Sequence, residues 1–348
     1  MPDESIRELM AEMMAYGAFP GAVLMVSGVD GTVVEEAVGR LTYDSSSGET
    51  TTRTIYELAS VTKVFVAILV LRLIADGQFT FDTEIGNLLH GIPTDLGRAT
   101  VRDLLQHTSG LPSLPDLNVE YDNSTQLRGA IERVSLESNP GLRVCYSSLN
   151  YMFLGWIVER ITSEKLEDFL GRIILDPLGL SGLSFKPRAE EVYRIAPTEY
   201  SRRRGRVICG EVHDETASLF PTPCGHTGLF ASAPDLLRFA EALLPGHSSI
   251  LPSHLAGMLF SSFTPAPEIS RTMAFVMNDP EFGKWSVPTF SHIGFTGSSV
   301  FLVPSLGISA VLLSNRVYPT RRNERITYAR QTIHQCLADT LVDAGKRL

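Results

Sequence analysis

Hydrophobic positions near the start of the chain follow first a helical period and then a strand period. Apolar residues recur at helical spacing between residues 3 and 16 and would share one face, which predicts a helix there. Two β-prone runs follow, at 21–29 and 32–39, and Asp30-Gly31 between them is a strong hairpin signal. Towards the other end of the chain, further β-prone runs and a final helical pattern cover residues 287–292, 298–303, 307–314 and 323–344. Strands are therefore predicted near both ends of the chain.

The middle of the chain, from about residue 80 to residue 275, is mostly helical in pattern and is interrupted often by Gly, Pro and Asn. The predicted helices cover residues 101–107, 127–136, 151–161, 164–175 and 235–244. The segment Asp176-Pro177-Leu178-Gly179 is expected to break the fourth of these. The segments without a regular pattern are 43–52, 113–125 and 181–222.

These elements predict an α/β (α+β) fold with one antiparallel sheet built from both chain ends, because strands this close in sequence pair antiparallel. The terminal helices and the helix that contains residues 60–77 are expected to cover the sheet. Residues 1–80 and 276–348 would then form a sheet lobe, and residues 81–275 a mostly helical lobe. The cleft between two lobes is the default position for an active site.

Composition narrows the classes of function. The chain has 348 residues, of which 44% are hydrophobic, so it can form one large domain or two lobes with a sizeable core. A net charge of −9 argues against a nucleic-acid partner. The apolar run at 64–74 is too short to span a membrane, and the acidic start lacks a signal-peptide pattern, so we expect a cytoplasmic protein. The four cysteines show no CxxC spacing and are expected to be free thiols: Cys145, Cys209, Cys224 and Cys336.

The candidate chemistry begins at Ser60-Val61-Thr62-Lys63, which precedes the most apolar run of the chain. Positions i and i+3 of a helix share a face, so the Ser60 hydroxyl would lie close to the Lys63 amine. Burial favours the neutral form of an amine, and a neutral amine beside a hydroxyl is a base beside a nucleophile. Alternatively, Ser60 only caps a helix and Lys63 reaches solvent. Lysine is scarce in this chain and arginine is common, which favours the catalytic interpretation.

Two further segments could supply partners for this pair. Tyr146-Ser147-Ser148 precedes a buried helical pattern, and a nearby lysine would stabilise a tyrosine phenolate able to relay protons. The alternative is a core tyrosine followed by a helix cap. His292-Ile293-Gly294 lies in the C-terminal strands, where a glycine lets a substrate lie close to the backbone. The alternative is a histidine at the end of a strand, followed by a turn glycine.

Together the three segments resemble the motifs of the serine β-lactamase and penicillin-binding-protein superfamily, with class C β-lactamases and the related esterases and D-amino-acid peptidases most similar. Ser60 to Lys63 matches the first motif. Tyr146 to Ser148 matches the Tyr-x-Asn motif with serine in place of asparagine, and His292 to Gly294 matches the Lys-Thr-Gly motif in its His-x-Gly form. The flanking segments 101–112, 294–297 and 312–316 and Pro304 also fit, so the resemblance covers nearly the whole chain.

A second His-x-Gly, at His226-Thr227-Gly228, precedes a loop that enters a helix, so we prefer His292 for the strand motif. Several potential metal ligands lie in the same region, but their spacing fits no zinc pattern, and no metal site is predicted: His213, Asp214, Cys224 and His226.

The resemblance implies an acyl-enzyme mechanism that needs no cofactor. Ser60 would attack an acyl carbonyl, and Lys63 and Tyr146 would share the proton transfers; which of the two is the base stays open. The backbone N–H groups of Ser60 and Phe295 would form the oxyanion hole. The positions implied to contact the substrate or oxyanion are Ser148, His292, Gly294 and Phe295.

Two departures from the family motifs bear on the substrate. His292 in place of lysine removes a permanent cation that would bind a carboxylate, and Ser148 in place of asparagine removes an amide contact. We therefore expect a carboxylesterase-type serine hydrolase that acts on a small ester or amide. The alternatives are a β-lactamase, a D-aminopeptidase or DD-peptidase, an acyltransferase of the same fold, and a non-catalytic binding or sensor module.

Overall fold

The computed structural model describes residues 2–113, 123–247, 249–261 and 270–345, without the side chains of residues 2–4 and 342–345. Most of the loop predicted at 113–125 lies outside these residues. The helices are α1 Pro2–Ala15, α2 Thr62–Ala75, α3 Thr94–Gly97, α4 Val101–Gln106, α5 Ser124–Glu132, α6 Ser148–Thr162, α7 Leu166–Leu170, α8 Asp176–Leu178, α9 Ala233–Glu241, α10 Ser253–Met258 and α11 Ile326–Gly345. The strands are β1 Gly21–Gly28, β2 Gly31–Gly39, β3 Tyr56–Glu57, β4 Tyr200–Ser201, β5 Arg206–Val207, β6 Phe230–Ala231, β7 Val276–Met277, β8 Phe290–Ile293, β9 Ser299–Val303 and β10 Ile308–Ser314.

The central sheet has six strands in the order β2-β1-β10-β9-β8-β7, and each neighbouring pair is antiparallel. Strand β1 pairs with β10 from Ala22 opposite Ser314 to Ser27 opposite Ser309, so the two ends of the chain meet inside the sheet. The predicted α+β class, with an antiparallel sheet built from both chain ends, is confirmed.

The two faces of the sheet belong to different cores because successive side chains of a strand point in opposite directions. In β1, Leu24 and Val26 face the core formed with α1 and α11. Val23 and Met25 face the larger core, which includes the residues of α2, α6 and α9.

Helix α9, and not α2, lies directly on the second face of the sheet, against β1, β9 and β10. Helix α2 packs against α6 and α7, and it meets α9 through the stacked rings of Phe65 and Phe239, whose centroids are 3.7 Å apart. This differs from the expected cover by the helix after Ser60. The reason is that α2 is buried on all sides, from Thr62 to Leu71, and therefore needs neighbours all round. The predicted lobe boundaries assign α9 to the helical lobe. These boundaries stay a prediction.

Some predicted element ends are wrong. Helix α5 begins at Ser124, where the Asn123 side chain accepts from the Gln126 N–H, and it ends at Glu132 instead of residue 136. The predicted break at 176–179 is confirmed at its last residue, because the helical path continues through Asp176-Pro177 and ends at Gly179. A wider π turn, Gly171–Leu175, connects α7 to α8, which ends at Gly179 in the left-handed conformation. The two-residue strands β3 to β7 are too short for a periodic signal.

None of the helices formed by the described residues is long and apolar enough to cross a membrane. All four cysteines are free thiols, as predicted.

Helix α11 carries a buried histidine that should make stability depend on pH. His334 lies between the rings of Phe282 and Phe301, at centroid distances of 4.6 and 5.1 Å. Burial lowers the pKa of His334 to about 3, against the opposing effect of its hydrogen bond with the Arg330 carbonyl. An unfolded histidine binds a proton near pH 6.5, so between about pH 6.5 and 3 the unfolded state is protonated here and the folded state is not. His334 should therefore cost about 1.4 kcal/mol of stability for each pH unit below about 6.

Urea unfolding of the wild type and of His334→Gln between pH 7 and pH 4 checks this prediction. The free energy of unfolding of the wild type should fall more steeply with decreasing pH than that of the variant, by roughly the slope given above. Equal slopes for the two proteins would contradict it.

Candidate active site

Ser60 lies on a 3-10 turn, Ala59–Val61, between β3 and α2. Ala59, directly before it, has a φ of 46°, a left-handed conformation that costs free energy for a residue other than glycine. Lys63 occupies the first turn of α2 and is fully buried. Its Nζ donates a hydrogen bond to Ser60 Oγ at 2.9 Å. The i, i+3 spacing thus brings the hydroxyl and the amine together.

The Lys63 amine has further contacts within the cleft. Nζ also donates to the backbone carbonyl of His226 at 2.9 Å. It lies 5.2 Å from the ring centroid of Tyr146 and 6.0 Å from that of Tyr151. In the described part of the chain Lys63 forms no direct ion pair with a carboxylate. Its surroundings therefore include a hydroxyl, a carbonyl and two aromatic rings.

Tyr146 is held by the residue that ends α4. His107 adopts the left-handed conformation, with a φ of 60°. Its carbonyl accepts from the Cys145 N–H at 2.8 Å, and its Nδ1 accepts from the Ser147 N–H at 3.1 Å. The His107 and Tyr146 rings lie 4.5 Å apart. Burial, followed by the charges of Arg271 and Lys63, holds the pKa of His107 well below its usual range, so the neutral ring can accept this bond. Sequence analysis gave His107 no role.

The environment favours ionisation of Tyr146. Burial raises the pKa of its phenol, but the charge of Lys63 and hydrogen bonds with Ser60 and Lys63 lower it, and the net pKa is below the usual value. Tyr151, five residues further along the chain and on α6, shows the opposite result because burial raises its pKa. Of these two tyrosines near Lys63, Tyr146 is the one suited to proton transfer.

The serines after Tyr146 mark the beginning of α6. Ser147 Oγ accepts from the Leu149 N–H at 3.2 Å and caps the helix, so the helix-cap interpretation holds for this serine. Ser148 is the first residue of α6 and is half-buried. It is not among the described residues that line the cavity beside Ser60, so its predicted contact with a substrate amide stays a prediction.

His292 lies near the end of β8 and is buried. Its Nδ1 is 3.0 Å from the Ile293 carbonyl; since a carbonyl only accepts, Nδ1 carries the hydrogen and Nε2 presents a lone pair. Burial, followed by the charges of Lys63 and Arg271, lowers the pKa of His292 to about 3. This ring is neutral at pH 7 and supplies no cation to the site.

Gly294 is required by the close packing of the β8 end against the turn that carries Ser60. A Cβ at this position would lie 2.3 Å from the Leu58 carbonyl oxygen and 2.2 Å from Ser298 Oγ. Ser298 Oγ donates to the Leu58 carbonyl at 2.8 Å, and Thr296 Oγ1 donates to the Glu57 carbonyl at 2.7 Å. This glycine makes room for the protein's own backbone, and its predicted contact with a substrate stays a prediction.

Phe295 lies between Gly294 and Thr296 in the chain and is 47% exposed at the mouth of the site. Its ring lies 5.6 Å from that of His213 and 4.5 Å from the Arg316 guanidinium, and Arg316 Nε donates to the Phe295 carbonyl at 2.7 Å. The backbone of Phe295 is therefore fixed from both sides.

A cavity of about 500 Å³ opens beside Ser60 and Tyr146. Its apolar lining residues are Val276, Met277, Ile293 and Phe295. Charged side chains also line it, among them Arg271, whose guanidinium lies 5.1 Å from the Tyr146 ring centroid, and Asp279. Sequence analysis did not identify Arg271, because it belongs to none of the three motifs.

His226, the rival motif histidine, does not lie on a strand beside the substrate cavity. Its backbone carbonyl is the group that contacts the site, because it accepts a hydrogen bond from Lys63 Nζ. Its side chain contacts Cys224 and Asp214, each at 3.4 Å. Within the described residues no group of three or more His, Cys, Asp or Glu side chains is placed to hold a metal ion.

Comparisons with known proteins identify one family and a shared fold. A family model described as Beta-lactamase matches residues 6–334. A relative from Escherichia coli (strain K12), named "Putative D-alanyl-D-alanine carboxypeptidase", is 29% identical over 76% of this chain and 70% of its own length. Two solved structures share the fold: "A class C beta-lactamase" (TM-score 0.78, 17% identity, 98% of both chains) and "EstCE1, a hydrolase with promiscuous acyltransferase activity" (TM-score 0.75, 20% identity, 94% of this chain and 97% of that chain).

Proposed function

The chain belongs to the beta-lactamase family and is a serine hydrolase, and from this premise we propose that it hydrolyses small carboxylic esters through an acyl-enzyme on Ser60. The observation that carries the proposal is the hydrogen bond from Lys63 Nζ to Ser60 Oγ beside a largely apolar cavity. A neutral His292 in the strand motif favours substrates without a carboxylate, since the motif contributes no cation to bind one.

In the proposed first half-reaction, Ser60 Oγ attacks the ester carbonyl carbon and its proton passes to Lys63 or Tyr146. The carbonyl oxygen becomes an oxyanion, which the N–H groups of Ser60 and Phe295 stabilise. Collapse of this intermediate breaks the bond to the alcohol oxygen, and the alcohol leaves with the proton. In the second half-reaction, water attacks the acyl group on Ser60 and gives up a proton along the same route. The carboxylic acid leaves, and the serine hydroxyl is restored.

A second candidate function is that of a carboxypeptidase acting on peptides that end in D-alanyl-D-alanine. The observation that favours it is the Arg271 guanidinium on the cavity wall, which could bind the terminal carboxylate of such a peptide. The name of the Escherichia coli relative points in the same direction.

Replacement of Arg271 separates the two functions. On the ester proposal, kcat/KM for p-nitrophenyl butyrate exceeds that for an N-acylated D-Ala-D-Ala peptide. Arg271→Gln should leave ester turnover within about threefold, because a neutral ester makes no charge-assisted contact. If the peptide is the better substrate and Arg271→Gln lowers its turnover by about 10- to 100-fold, the carboxypeptidase function is favoured.

Arg271→Lys is the matched control, because it keeps a positive charge beside the Tyr146 ring. It separates an effect on carboxylate binding from an effect on the ionisation of Tyr146.

Faster turnover of nitrocefin than of any ester would instead favour a β-lactamase. Product formation with an added alcohol acceptor would indicate acyl transfer. The cytoplasmic location and a small-molecule substrate stay predictions.

A further inference from the structure

The loop whose backbone carbonyl binds Lys63 carries a buried histidine that has no part in the proposed half-reactions. His226 is 1% exposed, and its carbonyl accepts from Lys63 Nζ at 2.9 Å. Its imidazole lies between two other side chains. Nδ1 is 3.4 Å from Cys224 Sγ, and Nε2 is 3.4 Å from Asp214 Oδ1. The ring therefore has a neighbour at each nitrogen, and the contact of Nε2 with Asp214 is a charge contact without hydrogen-bond geometry.

The backbone of the same loop is packed tightly on the helices beside it. A Cβ on Gly225 would lie 2.3 Å from the Tyr151 carbonyl of α6. Leu229, three residues after His226, forms two backbone hydrogen bonds with the segment around Ser60. Its N–H donates to Thr62 Oγ1 on α2 at 3.2 Å, and its carbonyl accepts from the Leu58 N–H at 2.7 Å. The loop is thus bound to the same helix turn that presents Ser60 and Lys63.

Asp214 fixes the other side of the imidazole and supplies a buried negative charge. Its Oδ1 also accepts from the Ala217 N–H at 2.7 Å. Burial would raise the pKa of Asp214, but His226, the Ala217 N–H and Lys63 hold it well below its usual range. The neighbouring carboxyl, Glu57, shows the opposite balance, because burial raises its pKa to about 7. Asp214 is therefore the ionised carboxylate of this cluster.

We propose that His226 and Asp214 are positioning residues for Lys63. Asp214 holds the imidazole, the imidazole fixes the loop, and the loop carbonyl takes one hydrogen of Lys63 Nζ so that the amine stays directed at Ser60. The carboxylate also offsets the charge of the buried lysine, which has no acid in direct contact among the described residues. The inference rests on the proposed use of Ser60 and Lys63 in catalysis.

The test measures the second-order rate of Ser60 labelling by a fluorophosphonate, and kcat and KM for p-nitrophenyl butyrate, from pH 5 to pH 10. His226→Ala should lower both the labelling rate and kcat by about 100-fold with little change in KM, since a small misplacement of a reacting group costs about that much. His226→Gln, which can still reach Asp214, should recover part of the loss.

Asp214→Asn keeps a carbonyl oxygen for the Ala217 N–H but removes the charge. Its pH–rate profile should move to lower pH by about one unit, because loss of a negative charge favours release of a proton from the cluster. The ionisable groups around Asp214 are Lys63 on α2, His226 and Cys224 on the loop, and Glu57 on β3, which in turn faces Arg204 and His213. A merely structural role would not move the profile.

His334→Gln is the matched control for burial: it alters a fully buried histidine in the other core, and it should leave labelling unchanged. Wild-type labelling rates and pH profiles in folded His226→Ala and Asp214→Asn would overturn the inference. If His226→Ala does not fold, an unshifted profile in Asp214→Asn overturns it by itself. Absence of labelling in the wild type would count against the proposed function instead, so the two failures are distinguishable.

Discussion

Replacement of Ser60 by alanine is expected to abolish ester turnover while leaving the fold intact. A missing nucleophile removes the covalent route, and the loss in kcat should be on the order of 10⁵. The side chain is half-buried and forms hydrogen bonds with Lys63 and Tyr146, so the cost in stability should be about 1 kcal/mol. Intact mass after brief exposure to a fluorophosphonate should show one adduct on the wild type and none on Ser60→Ala.

Ser45, which is exposed and is not among the described residues that line the cavity, provides the control. Ser45→Ala should take up the reagent at the wild-type rate. Ester turnover at the wild-type rate in Ser60→Ala would refute the assignment of the nucleophile. A folded wild type that takes up no reagent would shift weight to the non-catalytic alternative.

The second large effect is expected for Tyr146→Phe. The phenol has a lowered pKa and lies beside both Ser60 and Lys63, so its removal should lower kcat by a factor on the order of 100 or more. Lys63→Ala should cost at least as much in rate, but it also leaves a buried cavity, which makes Tyr146→Phe the cleaner test.

Tyr151→Phe is a matched control because Tyr151 is also an aromatic neighbour of Lys63. Its hydroxyl donates to the carbonyls of Leu105 and Met273, and burial raises its pKa, so it is suited to structure and not to proton transfer. It should lower stability and leave the pH–rate profile unchanged. Equal losses of rate in the two variants would argue that both rings only shape the pocket.

Short-range patterns were sufficient to predict the parts of the site that lie on one element. Ser60 and Lys63 are three residues apart on one helical face, so their hydrogen bond follows from helix geometry. The antiparallel sheet followed from the Asp30-Gly31 hairpin and the closely spaced C-terminal strands. The neutral state of His292 depends on its burial, which the sequence motif alone does not give.

The parts that sequence analysis missed are contacts between distant segments. The carbonyl that binds Lys63 belongs to His226, 163 positions away, and no local periodicity signals such a contact. The same applies to His107, whose ring and carbonyl hold the Tyr146 segment 40 positions further on. The packing of α9 on the sheet was also missed, because the order of elements in the sequence does not show which helix packs there.

The pairing of β1 with β10 has a consequence for how the protein becomes active during synthesis. At about 5–20 residues per second, the interval between the emergence of these strands from the ribosome is roughly 15–60 s. Throughout that interval the β1–β2 hairpin presents an open edge, a hazard for aggregation that a chaperone would have to cover. Ser60 and Lys63 are already present in the nascent chain, but the turn around Phe295 that should stabilise the oxyanion is not. Nascent chains should therefore be catalytically silent, and competence should appear only when the sheet closes.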